Sequence, residues 1–171
     1  MKDIYEKRVL NSDNIKDYAA SSIHSYLNNN FLSLFDTKIS TLIKQVKIPY
    51  SIYEDYTLEK GLSAKIFLLC CRETGYYTIH DSRVPWDGAI LDYFIEGDTD
   101  EAKNKRIAYY KGTATEWWTR SKSSKSSSTA WFATTTWGGF QLQGAYNEYG
   151  IRPTFILPST AKIDANNNII G

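Results

Sequence analysis

Cysteine, histidine and net charge are all scarce in this chain, and each scarcity excludes a class of function. The two cysteines, Cys70 and Cys71, are adjacent, and an adjacent pair rarely closes a disulfide because its geometry is strained. Two histidines are too few for a histidine-rich metal site. The balance of 20 basic against 19 acidic residues leaves no net field that would steer the protein to nucleic acid or to an anionic membrane.

Long apolar runs are missing as well. No stretch approaches the roughly 20 consecutive apolar residues that a membrane-spanning helix needs, so the sequence predicts no membrane insertion. The first residues lead into charged sequence, whereas a secretion signal would have an apolar core there. We therefore expect synthesis in a bacterial cytoplasm without a signal peptide. A role outside the cell then needs another route, such as the release of phage particles by lysis.

Motifs that would indicate catalysis are also lacking. His80-Asp81-Ser82 contains the residue types of a hydrolase triad, but contiguous residues cannot adopt the relay geometry. The acidic residues between Asp92 and Glu101 fit no EF-hand calcium loop, and no glycine motif for phosphate is present. The sequence thus predicts a protein that is not an enzyme and that has no cofactor and no metal.

Aromatic residues, in contrast, are abundant. Tyrosine, phenylalanine and tryptophan make up 15% of the 171 residues, which is more than a core of this size normally absorbs. Because a chain of this length fits one domain, we expect part of the aromatic surface to be exposed and available for contact.

Apolar residues at three- and four-residue spacing predict two helices in the first third of the chain. The first lies within residues 19–31, where the apolar stripe consists of Ile23, Tyr26, Leu27 and Phe31. Asp36 has the features of an N-cap for the second helix, and Pro49 would end it. Its expected buried face consists of Ile39, Leu42, Ile43 and Val46.

Strand signals follow these helices. The apolar run 64–70 predicts one short buried strand, and from Glu116 onward aromatic and threonine-rich segments alternate with turn residues, as in short antiparallel strands. Residues 85–94 and 98–110 are each compatible with a short helix, and the polar stretch 120–128 predicts a loop. Helices early and strands late indicate an α+β fold.

Five segments in a fixed order carry a resemblance to a known family. They are residues 23–28, 43–50, 117–121, 130–131 and 150–154, and the most specific are Trp117-Trp118-Thr119-Arg120 and Gly150-Ile151-Arg152-Pro153. Together they resemble an uncharacterised domain family of phages and gut bacteria. That family is distantly similar to formylglycine-generating enzymes and to the variable proteins of diversity-generating retroelements.

The resemblance implies a C-type-lectin-like fold with two N-terminal helices, a small antiparallel sheet and long irregular segments. It implies a single domain over residues 1–158 and a tail over 159–171. Relatives usually begin with one or two strands before the segment that matches Asp3-Ile4-Tyr5. Those strands are expected to be absent here or supplied by a partner, and an open sheet edge favours association, including homo-oligomers.

The segment between Ser126 and Asn147 is the candidate binding surface, because it contains no charged residue and interleaves rings with amides and hydroxyls. Strand alternation indicates that Trp131 and Ala133 point inward while Phe132 and Thr134 point outward. The predicted ligand-binding residues are Phe132, Thr134, Thr136, Trp137, Gln141, Gln143, Tyr146 and Asn147. The alternative is that these rings pack a β-rich core.

A second set of residues is expected to hold the scaffold. A buried guanidinium can bond several carbonyls or a carboxylate, and proline before a strand needs no ladder donor. The predicted scaffold residues are Trp117, Trp118, Arg120, Trp131, Gly150, Arg152 and Pro153.

Three functions follow, in decreasing order of preference. The first is a non-catalytic, phage-encoded receptor-binding or tail-associated adhesin that holds a host surface protein or glycan, located in the virion or outside the cell after lysis. The second is a structural virion or assembly protein that uses the same face as a permanent interface with a neighbouring virion protein. The third is a formylglycine-generating oxidase, which is disfavoured because Cys70 and Cys71 do not match the copper-binding pair of those enzymes.

Overall fold

Short helices and small antiparallel sheets form the protein, as a computed structural model shows. The structure describes residues 3–11, 17–49, 61–76, 88–123, 130–166 and 168–170, with the backbone alone at positions 130 and 132. The expected α+β class is confirmed at this level. The motif His80-Asp81-Ser82, residues 124–128 of the expected loop and the start of segment 85–94 lie outside the described residues. The loop prediction is wrong for residues 120–122, which lie in a strand. No helix in the described part of the chain is long and apolar enough to cross a bilayer.

The first helical segment begins at Ser21, whose side chain accepts a hydrogen bond from the backbone N–H of His24. Helix α1 (Ser22–Tyr26) widens into a π-helical turn (Leu27–Phe31) and ends in a 3₁₀ turn (Leu32–Leu34). Ile23, Leu27 and Phe31 are buried as predicted. Tyr26 is only half-buried, and the Arg8 guanidinium lies 3.4 Å from the centroid of its ring.

Helix α2 (Thr37–Leu42) starts where the sequence predicts but ends earlier. The Asp36 side chain accepts the N–H of Ile39 at 2.8 Å, which confirms the N-cap. The expected end at Pro49 is wrong, because Val46 lies in a strand, β2 (Val46–Ile48). Antiparallel pairing of this β-branched segment with β3 (Leu62–Ala64) outweighs the helical pattern.

The predicted single strand over 64–70 is also wrong, because the chain bends at Lys65. Strand β3 pairs with β2, whereas β4 (Ile66–Phe67) pairs with β11 (Thr154–Phe155). The Asn28 amide fixes the bend: its oxygen accepts the N–H groups of Lys65 and Ile66 at 3.0 and 3.2 Å. Its nitrogen donates to the Ile66 carbonyl at 2.8 Å.

The remaining strands form three further antiparallel units. They are β1 (Glu6–Val9) with β10 (Glu148–Ile151), β5 (Ala108–Tyr110) with β6 (Thr113–Thr115), and a three-stranded sheet of β7 (Trp118–Lys122), β8 (Ala130–Thr134) and β9 (Phe140–Gly144). Helix α3 (Asp100–Arg106) lies between β4 and β5 in the chain, within the predicted helical region 98–110. Residues 88–94 form no helix.

The adjacent Trp117 and Trp118 are both buried, but on opposite sides of the chain, as strand alternation requires. Trp118 lies in the main hydrophobic core, which also contains Trp131 of β8 and Leu27 of the helical segment. Trp117 instead packs with Ile4 and Ala108 in a separate small cluster. The double tryptophan therefore connects the start of β7 to both hydrophobic clusters.

A buried ion pair links β7 to the segment after β4. Two nitrogens of Arg120 donate to the two carboxylate oxygens of Glu73 at 2.6 and 2.7 Å. The same guanidinium donates to the carbonyls of Leu68 at 2.7 Å and Pro49 at 3.1 Å. The Glu73 carboxylate also accepts the N–H of Cys70 at 2.9 Å. The thiols of Cys70 and Cys71 are buried, and that of Cys70 accepts the backbone N–H of Glu73 at 3.3 Å.

Replacing Asn28 with alanine is expected to lower the free energy of unfolding by about 3 kcal/mol, because the main chain at the bend loses three hydrogen bonds. Asn29→Ala is the matched control, since the neighbouring amide is exposed and bonds only within its own helical segment; its cost should be within about 0.5 kcal/mol. Urea unfolding measures both, and equal losses would contradict the role of Asn28.

Glu73→Gln is expected to cost about 3–5 kcal/mol, because it leaves the buried Arg120 cation without its carboxylate. The control is Glu96→Gln, at an exposed acidic residue, for which we expect almost no change. Chemical denaturation of the two variants against the parent tests this, and a loss below about 1 kcal/mol for Glu73→Gln would refute it.

Candidate functional site

The hairpin of β8 and β9 carries most of the predicted binding residues, and its register assigns their faces. Trp131 lies opposite Gln143 and Ala133 opposite Gln141, so these four positions share one face. Phe132 opposes Leu142 and Thr134 opposes Phe140, so those positions share the other face. The side chain of Phe132 lies outside the described part of the structure.

A tight turn over residues 135–139 joins the two strands and presents Trp137 to solvent. The Thr135 N–H donates to the Gly139 carbonyl at 2.9 Å, and the Gly138 N–H donates to the Thr135 carbonyl at 3.0 Å. The Gly139 N–H donates to the Thr135 hydroxyl at 2.9 Å. The Trp137 ring lies against the α-carbon of Gly139, where a Cβ would collide with it. Trp137 is nevertheless 57% exposed.

Arg106, at the end of α3, attaches this turn to the helix. Its Nε donates to the Gly138 carbonyl at 2.7 Å, and its other nitrogens donate to the Gly97 carbonyl at 3.1 Å. A carboxylate oxygen of Asp98 lies 3.6 Å from a guanidinium nitrogen of Arg106. Burial lowers the pKa of Arg106, and the Asp98 charge opposes that shift. Arg106 is not among the predicted site residues, since nothing in the sequence distinguishes it from Lys103 or Lys105.

Gly138 allows the close approach of the turn to α3. Its φ is +80°, a left-handed conformation that favours glycine. A Cβ at this position would collide with the carbonyl of Lys103. The turn and the helix are therefore in direct main-chain contact, and the position of Trp137 is set by backbone groups.

A depression of about 450 Å³ separates Trp137 from α3. Its lining residues are Asp100, Lys103, Asn104, Ile107 and Trp137. The Lys103 ammonium lies 5.5 Å from the centroid of the Trp137 ring and 3.1 Å from an Asp98 carboxylate oxygen. The expectation of an uncharged surface is therefore wrong around Trp137, because α3 brings charges that are distant in sequence.

Thr134 is not on the outer surface, which corrects the alternation argument. Its side chain is completely buried, and its hydroxyl accepts the N–H of Trp117 at 3.2 Å. The Thr134 N–H in turn donates to the Trp117 carbonyl at 2.9 Å. Both faces of β8 are covered at this end, so alternation alone does not place a residue in solvent.

The predicted amide residues face partners within the protein. Gln141 donates to the Glu116 carboxylate at 2.8 Å, and Asn147 donates to the side-chain oxygen of Gln143, also at 2.8 Å. All three are partly exposed, and Thr136 is exposed. Their polar groups can meet a ligand, but part of their hydrogen-bonding capacity is already used.

Tyr146 and Trp137 do not belong to one cluster. Tyr146 is 71% exposed and its ring lies over Gly144, beyond the end of β9. Trp137 precedes the start of the same strand. Strand β9 lies between the two positions, and five residues of extended chain span about 17 Å, so the predicted surface divides into two aromatic positions at opposite ends of this strand.

The predicted scaffold residues are all buried, with Trp117, Trp118, Arg120, Trp131, Gly150, Arg152 and Pro153 inside the domain. The Gly150 N–H donates to the Glu116 carbonyl at 2.8 Å, and a Cβ there would meet Ile4. The Arg152 guanidinium lies 4.5 Å from the centroid of the Trp117 ring. Burial lowers the pKa of Arg152, while Tyr93 and Asp3 oppose the shift.

Among the described residues, no group of three or more histidine, cysteine, aspartate or glutamate side chains is placed to hold a metal ion. The geometry defines a mixed α+β domain that holds an exposed tryptophan on a backbone-fixed turn. The chain belongs to the family described as a domain of unknown function, DUF6273, whose model matches residues 1–159. No curated protein and no solved structure matches it.

Gly138→Ala is expected to destabilise the protein more than Gly112→Ala. Gly112 has a matching φ of +82° but nothing within 4 Å of an added Cβ, so its substitution reports the backbone strain alone, about 1–2 kcal/mol. The collision with Lys103 should add about 1–3 kcal/mol at Gly138. Urea unfolding of the pair gives the difference, and equal losses would mean that the turn is not held against α3.

Proposed function

We propose that this chain is a non-catalytic ligand-binding domain that contacts its ligand through Trp137 and the neighbouring face of α3. In this proposal it is a phage-encoded, tail-associated adhesin that binds a host surface protein or glycan. It acts in the virion or outside the cell after lysis. The scaffold is proposed to be a C-type-lectin-like fold, which rests on the resemblance of the five sequence segments and not on a structural neighbour.

The exposed Trp137 ring supports the proposal most directly. Burying a side chain of this size stabilises a protein by about 2–3 kcal/mol, yet this ring is exposed while three other tryptophans are fully buried. Its turn is fixed by main-chain hydrogen bonds and by Arg106. A rigid aromatic ring loses little entropy on binding, which is why such rings dominate recognition surfaces.

The surroundings of Trp137 suit a ligand with both an apolar face and polar groups. The ring offers a flat apolar contact, while Asn104, Asp100 and Lys103 border the depression with hydrogen-bonding and charged groups. A few polar groups at the edge of an apolar contact fix the orientation of a ligand. A sugar ring or an amphipathic protein side chain has this combination.

Catalysis by the cysteines has little support. Cys70 and Cys71 are both fully buried, and burial away from water favours the neutral, unreactive thiol over the charged thiolate. A permanent interface at Trp137 is the competing use of the same surface, and the experiment below separates it from ligand binding.

Trp137→Ala is expected to weaken binding at least tenfold, because removal of a central ring from an interface typically costs about 2 kcal/mol or more. Arrays of bacterial surface glycans and cultures of gut bacteria provide the test, and the strongest binder is titrated with each variant. Leu34→Ala is the control, since Leu34 is exposed and apolar but lies in the helical segment. Tyr146→Ala measures the contribution of the far end of β9.

Two outcomes would overturn this assignment. Unchanged titrations for Trp137→Ala would remove the ring from the binding surface. A stable oligomer in light scattering that dissociates on Trp137→Ala would instead favour the permanent subunit interface of a virion protein.

A further inference from the structure

A second pocket lies beside Arg152 and shares no lining residue with the Trp137 depression. Its volume is about 250 Å³ and its lining residues are Leu69, Leu91, Tyr93, Phe94, Arg152, Pro153 and Thr154. An apolar cavity of about 150 Å³ is already large enough to bind benzene. This pocket therefore has room for a small organic molecule.

The apolar walls are preformed by an anchored loop. Leu69 and Phe94 are buried, while Leu91 and Tyr93 stand at the rim with 40% and 47% of their surface exposed. The loop is fixed at both ends: the Leu91 N–H donates to the Glu73 carbonyl at 3.1 Å, and the Gly97 N–H donates to the Gly75 carbonyl at 3.0 Å. The Phe94 N–H donates to the Leu91 carbonyl at 2.8 Å. This bond closes a turn between Leu91 at the rim and the buried Phe94.

The charged group in the described lining of the pocket is a cation, and the Asp3 carboxylate acts on it from outside that lining. Of the seven described residues that line it, Arg152 alone is charged, and it is only 5% exposed. Its guanidinium stacks on Trp117 at 4.5 Å and lies 6.0 Å from the Phe94 ring centroid. A second cation borders the rim, since the Lys105 ammonium is 5.0 Å from the centroid of Tyr93.

A guanidinium stays protonated even when it is buried, and its five N–H donors can serve the fold and a ligand at once. A carboxylate matches two of those donors in plane. In a pocket with mainly apolar walls, such a pair is screened less than at an open surface. Charge and shape together therefore select a ligand with an anionic end and a compact apolar body.

We propose that the pocket beside Arg152 binds a small carboxylic acid with an aromatic or branched aliphatic body. The carboxylate lies against Arg152, and the apolar body contacts Leu69, Leu91 and Phe94. This site is independent of the surface proposed at Trp137, so either can fail without the other.

Phenylacetate and its uncharged analogue phenylacetamide test the proposal directly. Calorimetry or ligand-observed NMR with the full chain should show phenylacetate binding about tenfold more tightly than phenylacetamide, because charge-assisted hydrogen bonds are about twice as strong as neutral ones. Equal affinity for the two compounds, or no binding of phenylacetate at millimolar concentration, would overturn the proposal.

Variants at the rim locate the site without disturbing the core. Leu91→Glu places a carboxylate beside the ligand and should weaken phenylacetate binding at least about fivefold through like-charge repulsion. Leu91→Gln has the same shape without the charge and should retain most of the affinity lost in the glutamate variant. Trp137→Ala should leave phenylacetate binding unchanged. Equal losses in the two Leu91 variants, or a loss in Trp137→Ala, would show that the acid does not bind against Arg152.

Discussion

Arg120 and Glu73 form the interaction on which the arrangement of the chain depends. The guanidinium on β7 holds the carboxylate after β4 and the carbonyls of Leu68 and Pro49 together. Burying two charges removes their hydration, and an apolar replacement of both is often equally stable. Breaking the pair from one side would leave an uncompensated buried charge, so the pair constrains how these segments meet. Each sheet has only two or three strands. Strand pairing within such small sheets does not determine how one sheet packs against the next.

The sequence predicts local features of this fold well and long-range ones poorly. The N-cap at Asp36 and the stripe of Ile23, Leu27 and Phe31 follow from nearest neighbours along the chain. The early end of α2 and the bend at Lys65 do not, because each is decided by a partner far away in sequence. Strand β3 pairs with the segment that contains Val46. The Asn28 side chain accepts main-chain N–H groups 37 and 38 residues further along the chain. Asparagine in a helical pattern is usually read as solvent-facing, so its role was not visible.

The candidate site shows the same division. The exposure of Trp137 and Tyr146 agrees with the neutral, aromatic character of their segment. Thr134 fails because alternation assumes one solvated face, whereas Trp117 covers the second face at that end of β8. The charges of α3 and the role of Arg106 were missed, since a window along the sequence cannot include residues that approach only in space. The pocket beside Arg152 was missed for the same reason: it is assembled from three separate segments.

The turn that carries Trp137 is held by the carbonyls and N–H groups of Thr135, Gly138 and Gly139, the Thr135 hydroxyl and the Arg106 side chain. None of these bonds uses the side chain of position 136 or 137. The frame of the turn and its proposed contact positions are thus encoded by different residues. Sequence change at the two tip positions can accumulate without loss of the fold, which would let descendants of this domain, or a laboratory library, acquire new binding preferences on an unaltered support.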